Sequence, residues 1–251
     1  MPKHYNEKTI KQADEEGVFS NDKRIPFDID TTQSFNAQYL VQRKTQERMA
    51  KSLRKSDKNL SERESMLLAD EKLAARRKGI RETDVTIGRT PGATAEFHPE
   101  LPGVRERGRI TLSPKSVQTD PRMKLTHEFD HAALSKAGLT ESDIDVFERN
   151  QPNTQTKDTG DITDPLEMHS RLQTTREKAK ELGIYDPFTE DFSSEHYDKL
   201  TDYYGGEFGT PGTNEGDNVQ QFLRNTNKES AIEILNTVAQ AQPVKKPWGF
   251  A

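Results

Sequence analysis

Residues 125–132 have the sequence Leu-Thr-His-Glu-Phe-Asp-His-Ala, which places His127 and His131 four positions apart with Glu128 between them. The surrounding pattern of apolar and helix-forming residues predicts a helix over 123–136. Because residues i and i+4 share one face of a helix, both imidazole rings can turn toward the same point. The sequence therefore predicts a helix that presents two nitrogen donors and an adjacent carboxylate.

This H-E-x-x-H pattern is typical of one kind of metal chemistry. Zinc accepts imidazole nitrogens as ligands, and a carboxylate beside the ion can take a proton from water, so we assign His127 and His131 as metal ligands and Glu128 as the catalytic base. The alternative is a pair of solvent-exposed histidines on an amphipathic helix. Since the chain has no cysteine, a metal site here must use histidines and carboxylates.

The segments around the motif predict an α+β fold. Short β-prone runs separated by Gly and Pro occur at 85–87, 93–97 and 109–112, and they precede the motif helix. Gly138 ends that helix, and the small residues Ala132 and Ala133 stand where close packing is expected. A second helix is expected from Thr140 onward, and two short helices at 218–224 and 228–239.

In this order of strand, H-E-x-x-H helix and later helix with an acid, the chain resembles the zincin metallopeptidases over about 85–183. The metzincin extension requires Gly at position 134 and His at 137, and this chain has Leu134 and Ala137. That subclass is excluded. The resemblance to gluzincin-type proteins implies a small zincin-like domain, one Zn²⁺ per chain, and a third ligand from a glutamate on a following helix.

The best match for this third ligand is Glu167, on a helix that starts with Asp164 as N-cap and Pro165 at its first position. Glu167 and Asp164 could instead form a capping pair without metal, and His169 is a rival ligand. Arg171, one turn later, could orient the Glu167 carboxylate or form an ordinary surface pair. By resemblance, a Tyr or His stabilises the transition state, with four candidates: Tyr185, His196, Tyr197 and Tyr203.

Composition limits the size of the core. Of 251 residues, 30% are hydrophobic and 31% charged, so we expect one modest globular domain together with solvent-exposed helical segments. Residues 37–81 contain thirteen Lys and Arg against six acids, although the net charge of the chain is −5. We expect two helices here, broken near 56–59, with a capping box at Ser61 and Glu64 and too few apolar residues for a buried face.

The predicted organisation has four parts. An extended arm at 1–36 precedes a basic helical segment at 37–81, a zincin-like metallopeptidase domain at 82–205, and a C-terminal loop with short helices at 206–251. The arm contains no apolar stretch that resembles a signal peptide, and no stretch approaches the length of a membrane span. We therefore expect a cytoplasmic or virion-associated protein without a membrane partner.

The expected function is zinc-dependent hydrolysis of peptide bonds in a protein or peptide substrate by a metal-activated water. The low apolar content and charged arm also resemble zincin-like structural proteins of tailed bacteriophages. The alternative function is therefore a virion or assembly protein that retains the metal-binding domain as a scaffold, with structural protein partners bound through the arm. Nucleic acid is a third candidate partner, for the basic helical segment, whose charges otherwise form an ordinary solvated face.

Overall fold

A computed structural model describes residues 43–90, 95–118, 121–150, 164–187, 190–206 and 217–238. In these ranges the chain forms nine helices and one three-stranded sheet, so the expected α+β class is confirmed. Their contacts divide them into two compact units. Unit one comprises the described residues of Ala74–Ala137, and unit two those of Val41–Leu73 and Gly138–Gln242.

The sheet lies in unit one and has the strand order β1-β3-β2. β1 is parallel to β3, with Val85 opposite Ile110, and β2 is antiparallel to β3, with Phe97 opposite the same residue. Ile110 and Leu112 are fully buried, so the central strand forms part of the core of the unit. The elements are β1 (Thr83–Ile87), β2 (Ala95–His98), β3 (Gly108–Leu112), α3 (Pro114–Gln118) and α4 (Pro121–Ala137), preceded by the last two turns of α2 (Glu62–Arg81).

The α4 helix packs against β2, β3 and the short α3. Ten of its residues are buried and they lie around much of its circumference, including Leu125, Phe129, Ala132 and Ala133. A helix buried in this way has no wide polar face, because much of its circumference contacts protein. Gly138 has a φ of 64° just after its end, as the sequence predicted for a helix-terminating glycine.

The described residues of unit two form helices and connecting turns, with no strand among them. Its main core includes Phe147, Leu172, Phe222 and Ile234, all of which are fully buried. The predicted helix starts are confirmed: Thr140 accepts the Asp143 N–H, and Asp164 accepts the Leu166 N–H. Besides α1 (Arg43–Ser56) and the first turns of α2, the helices are α5 (Glu141–Arg149), α6 (Pro165–Glu181), α7 (Ser194–Tyr203), α8 (Asn218–Arg224) and α9 (Lys228–Thr237).

The basic segment is more deeply packed than its sequence indicated. Met49 and Ala50 of α1 and Ala69 and Leu73 of α2 are almost wholly buried in a second core of unit two. The expectation that this segment has too few apolar residues for a buried face is therefore wrong. Alanines contribute half of the residues in this core, and alanine is a weaker apolar signal in a sequence than leucine or methionine.

The remaining sequence expectations have mixed outcomes. The three predicted strands are confirmed within two residues at each end, and the break between α1 and α2 falls at 57–61. The helix at 194–203 was not predicted, and the unit boundaries inside α2 and at Gly138 differ from the expected domain limits at 82 and 205. The arm at 1–36 and most of the polar stretch at 150–163 lie outside the described residues. No helix among the described residues is long and apolar enough to cross a membrane.

Candidate metal centre

The two histidines of the motif converge on the same face of α4. The Nε2 atoms of His127 and His131 are 3.1 Å apart, and their rings meet edge to face with centroids 4.7 Å apart. His127 is 8% exposed, whereas His131 is half-buried. The pair therefore lies where the surface of α4 changes from buried to solvent-accessible. An ion bound by both rings would be accessible to solvent.

The spacing of these nitrogens fits a zinc ion. A tetrahedral site with Zn–N distances of about 2.0–2.1 Å separates two nitrogen ligands by roughly 3.3–3.4 Å. The observed 3.1 Å is close to that separation, and both donors are the Nε2 atoms. The same distance also suits an N–H···N hydrogen bond between the two neutral rings.

Two carboxylates of α4 lie beside the histidines in sequence. Glu128 is 8% exposed, and at 100° per residue it is about 60° around the helix from His131. Asp130 is fully buried. Its polarity alone gave no indication of this burial.

The packing behind the histidines holds their backbone in place. A Cβ atom added to Gly79 of α2 would collide with the carbonyl oxygen of Ala132 and lie 3.2 Å from the Ala133 Cα. The small residues predicted to permit close packing are thus in contact with another helix. On the same helix, the Thr126 hydroxyl donates to the Arg122 carbonyl at 3.0 Å. α4 therefore has little freedom to shift at the motif.

Glu167 belongs to unit two, in the first turn of α6. Its carboxylate Oε2 is 3.6 Å from a guanidinium nitrogen of Arg171, whose side chain is 4% exposed against 26% for Glu167. The predicted pairing with Arg171 is therefore present, with the arginine buried rather than on the surface. Asp164 caps the helix through the Leu166 N–H at 2.9 Å. The buried Arg171 guanidinium therefore lies beside a partly exposed Glu167 carboxylate.

His169, the alternative candidate for the third ligand, lies inside the core of unit two. It is fully buried, its ring centroid lies 6.3 Å from that of Phe147, and its Nε2 is 3.4 Å from the Gln173 side-chain nitrogen. An imidazole in this environment contributes to the packing of unit two. Glu167, with a partly exposed carboxylate in the first turn of α6, is the more accessible donor of the two.

The four candidates for transition-state stabilisation differ in environment. Tyr185 is 1% exposed and packs against Phe192, and His196 forms a capping box with Ser193, whose N–H donates to the His196 Nδ1 at 3.1 Å. Both side chains thus have structural roles. Burial raises the pKa of the Tyr197 hydroxyl, so it stays protonated as a hydrogen-bond donor. Tyr203 is 54% exposed at the end of α7.

Comparisons of this chain with protein families, with curated proteins and with solved structures find no match.

Proposed function

We propose that this chain is a zinc-dependent peptidase of the zincin type, in which His127 and His131 hold the ion and Glu128 is the general base. One observation carries the proposal: the Nε2 atoms of the two histidines are 3.1 Å apart on a helix packed against a sheet. Bound there, a zinc ion would supply Lewis-acid polarisation of the substrate carbonyl and a lowered pKa of water.

Glu167 is the proposed third ligand. The assignment follows from the resemblance to gluzincin-type proteins, in which a glutamate on a helix after the motif helix is the third ligand. The environment of the Glu167 side chain supports it. The Arg171 guanidinium lies 3.6 Å from the Glu167 carboxylate and restricts its rotation, because Arg171 itself is buried. A ligand set of two imidazoles and one carboxylate is one of the common sets of catalytic zinc and leaves a fourth position open.

The role of Glu128 follows from its position in the helix. It lies between the two histidines in sequence and is about 100° around the helix from His127, so its carboxylate is not aligned with the two rings. Glu128 is 8% exposed and adjacent in sequence to His127, and its carboxylate is a suitable acceptor for a proton from water. The same group can then donate that proton to the amine that leaves.

Substituting the proposed base tests the function. Glu128→Gln keeps the shape of the side chain but removes its basicity, so we expect unchanged zinc content and a fall in hydrolysis of an unstructured protein by about 10²–10⁴-fold. Glu106→Gln is the matched control, since Glu106 is exposed and belongs to the same unit. It should retain the wild-type rate.

Two outcomes would contradict the peptidase proposal. The first is equal hydrolysis by wild type and Glu128→Gln. The second is absence of hydrolysis by zinc-loaded wild type across a panel of unfolded proteins, assayed alone and with the proteins with which it co-purifies. Retained zinc without hydrolysis would instead favour the alternative proposal of an assembly protein that keeps its metal site as a scaffold.

A further inference from the structure

Unit two contains a polar cavity of about 250 Å³ that none of the proposed metal ligands lines. Four of its lining residues lie on one face of α1 at positions i, i+3, i+4 and i+7: Arg48, Lys51, Ser52 and Lys55. Because Lys51 and Lys55 are exposed, the cavity is open to solvent on their side. Its volume suits a small ion or molecule with a few waters rather than a large apolar ligand.

The charges of the lining are unbalanced. Arg48, Lys51 and Lys55 contribute three positive charges, and Asp191 is the only acid among the lining residues. Asp191 is 3.1 Å from the Arg48 Nη2, and its side chain is 75% exposed. The described lining therefore carries a net charge of +2. A dianion would neutralise this charge, while a cation would be repelled.

Arg48 supplies the second observation. Its side chain is only 15% exposed, and its Nη1 is buried with no hydrogen-bond partner among the described residues. A buried guanidinium nitrogen without a partner is costly, and an oxyanion in the cavity is a chemically suitable acceptor.

Hydrogen bonds hold the polar side of the cavity next to Arg48 in place. The Ser52 hydroxyl is 2.5 Å from the Thr140 hydroxyl and donates to the Asp143 carboxylate at 3.1 Å. Ser56 accepts the backbone N–H of Ser142 at 2.9 Å, which joins α1 to the start of α5. These bonds fix the part of α1 that carries the basic residues.

We propose that this cavity is a binding site for a phosphate dianion, either inorganic phosphate or the terminal group of a small phosphate monoester. Arg48, Lys51 and Lys55 form charge-assisted hydrogen bonds to its oxygens, and Ser142 and Thr237 also line the cavity. The site is independent of the proposed metal centre.

Calorimetric titration of the full chain tests this site. The titrants are inorganic phosphate, a small phosphate monoester and, as a source of singly charged phosphodiesters, a short DNA duplex, all at one ionic strength set with chloride. We expect saturable binding of phosphate or the monoester. Lys51→Ala/Lys55→Ala should weaken it by about tenfold or more, because two charge-assisted hydrogen bonds are lost.

The matched control is Arg54→Ala/Lys58→Ala, which removes the same number of charges from exposed neighbouring positions outside the lining. It should bind as wild type does. Asp191→Asn removes the acid and should tighten binding, an effect opposite in sign to any loss of folding. Equal weakening in both double variants, tighter binding of the duplex than of the monoester, or no saturable phosphate binding by wild type would each overturn the proposal.

Discussion

Gly79 of α2 faces the carbonyl oxygen of Ala132 in α4 with no room for a side chain between them. The contact is one residue from His131, so it sets the position of the backbone that carries the proposed metal ligands. Both residues are almost wholly buried. This close approach explains why a glycine stands inside α2, where its backbone freedom would otherwise disfavour the helix.

Gly79→Ala should destabilise unit one. Alanine favours a helix by about 1 kcal/mol over glycine, but its Cβ would overlap the backbone of Ala132, and overpacking of this kind costs about 1–3 kcal/mol or more. We expect a net loss of stability in thermal unfolding. Ala74→Ser, at an exposed position of the same helix, is the control and should change stability by less than about 0.5 kcal/mol. A Gly79→Ala protein more stable than wild type would show that α2 and α4 do not approach so closely.

The buried core between α1 and α2 leads to a second prediction. Leu73 is fully buried and packs with Met49, so Leu73→Ala should cost about 2–5 kcal/mol. Leu67, on the same helix, is 56% exposed, so Leu67→Ala should cost less than about 0.5 kcal/mol. Denaturant unfolding of both variants measures the difference. If the two costs were equal and small, the basic segment would not be part of the folded core.

These packing contacts mark the limit of what the sequence could predict. Local signals sufficed for the ends of α4, for the N-cap at Asp164 and for the convergence of His127 and His131, because each depends on residues within one helix. The role of Gly79 and the burial of Asp130 depend on partners distant in sequence. The cavity beside Arg48 likewise combines residues from α1, α5 and α9, so no local pattern could indicate it.

The capping box at the start of α2 gives a pH-dependent prediction. The Ser61 hydroxyl and N–H both donate to the Glu64 carboxylate and hold its pKa below the ordinary 4.5. Because the folded pKa is the lower one, this contribution to stability is present above the unfolded pKa and is lost as pH falls through the folded pKa.

Ser61→Ala should raise the Glu64 pKa toward its ordinary value, and Ser61→Thr, which keeps the hydroxyl, should not. Side-chain carboxyl titration by NMR measures both. An unchanged Glu64 pKa in Ser61→Ala would mean that the hydroxyl does not bind this carboxylate in solution.

The last prediction concerns the proposed ligands themselves. His131→Ala leaves one imidazole of the pair, and Glu167→Ala removes the proposed carboxylate, so each should lower zinc affinity more than about a hundredfold. Even partners that only orient a ligand typically contribute 10–100-fold. Competition with a chromophoric chelator gives the affinities.

His98→Ala is the control for the first variant, because His98 is a partly exposed histidine of β2 whose Nε2 lies 3.5 Å from Glu96. Glu181→Ala is the control for the second, since Glu181 lies at the other end of α6 and pairs with Lys178. If Glu167→Ala binds zinc with wild-type affinity while His131→Ala does not, the histidine pair binds the metal without Glu167. The role of Glu167 is then limited to its ion pair with Arg171. Wild-type zinc affinity in both variants would contradict the proposed metal site as a whole.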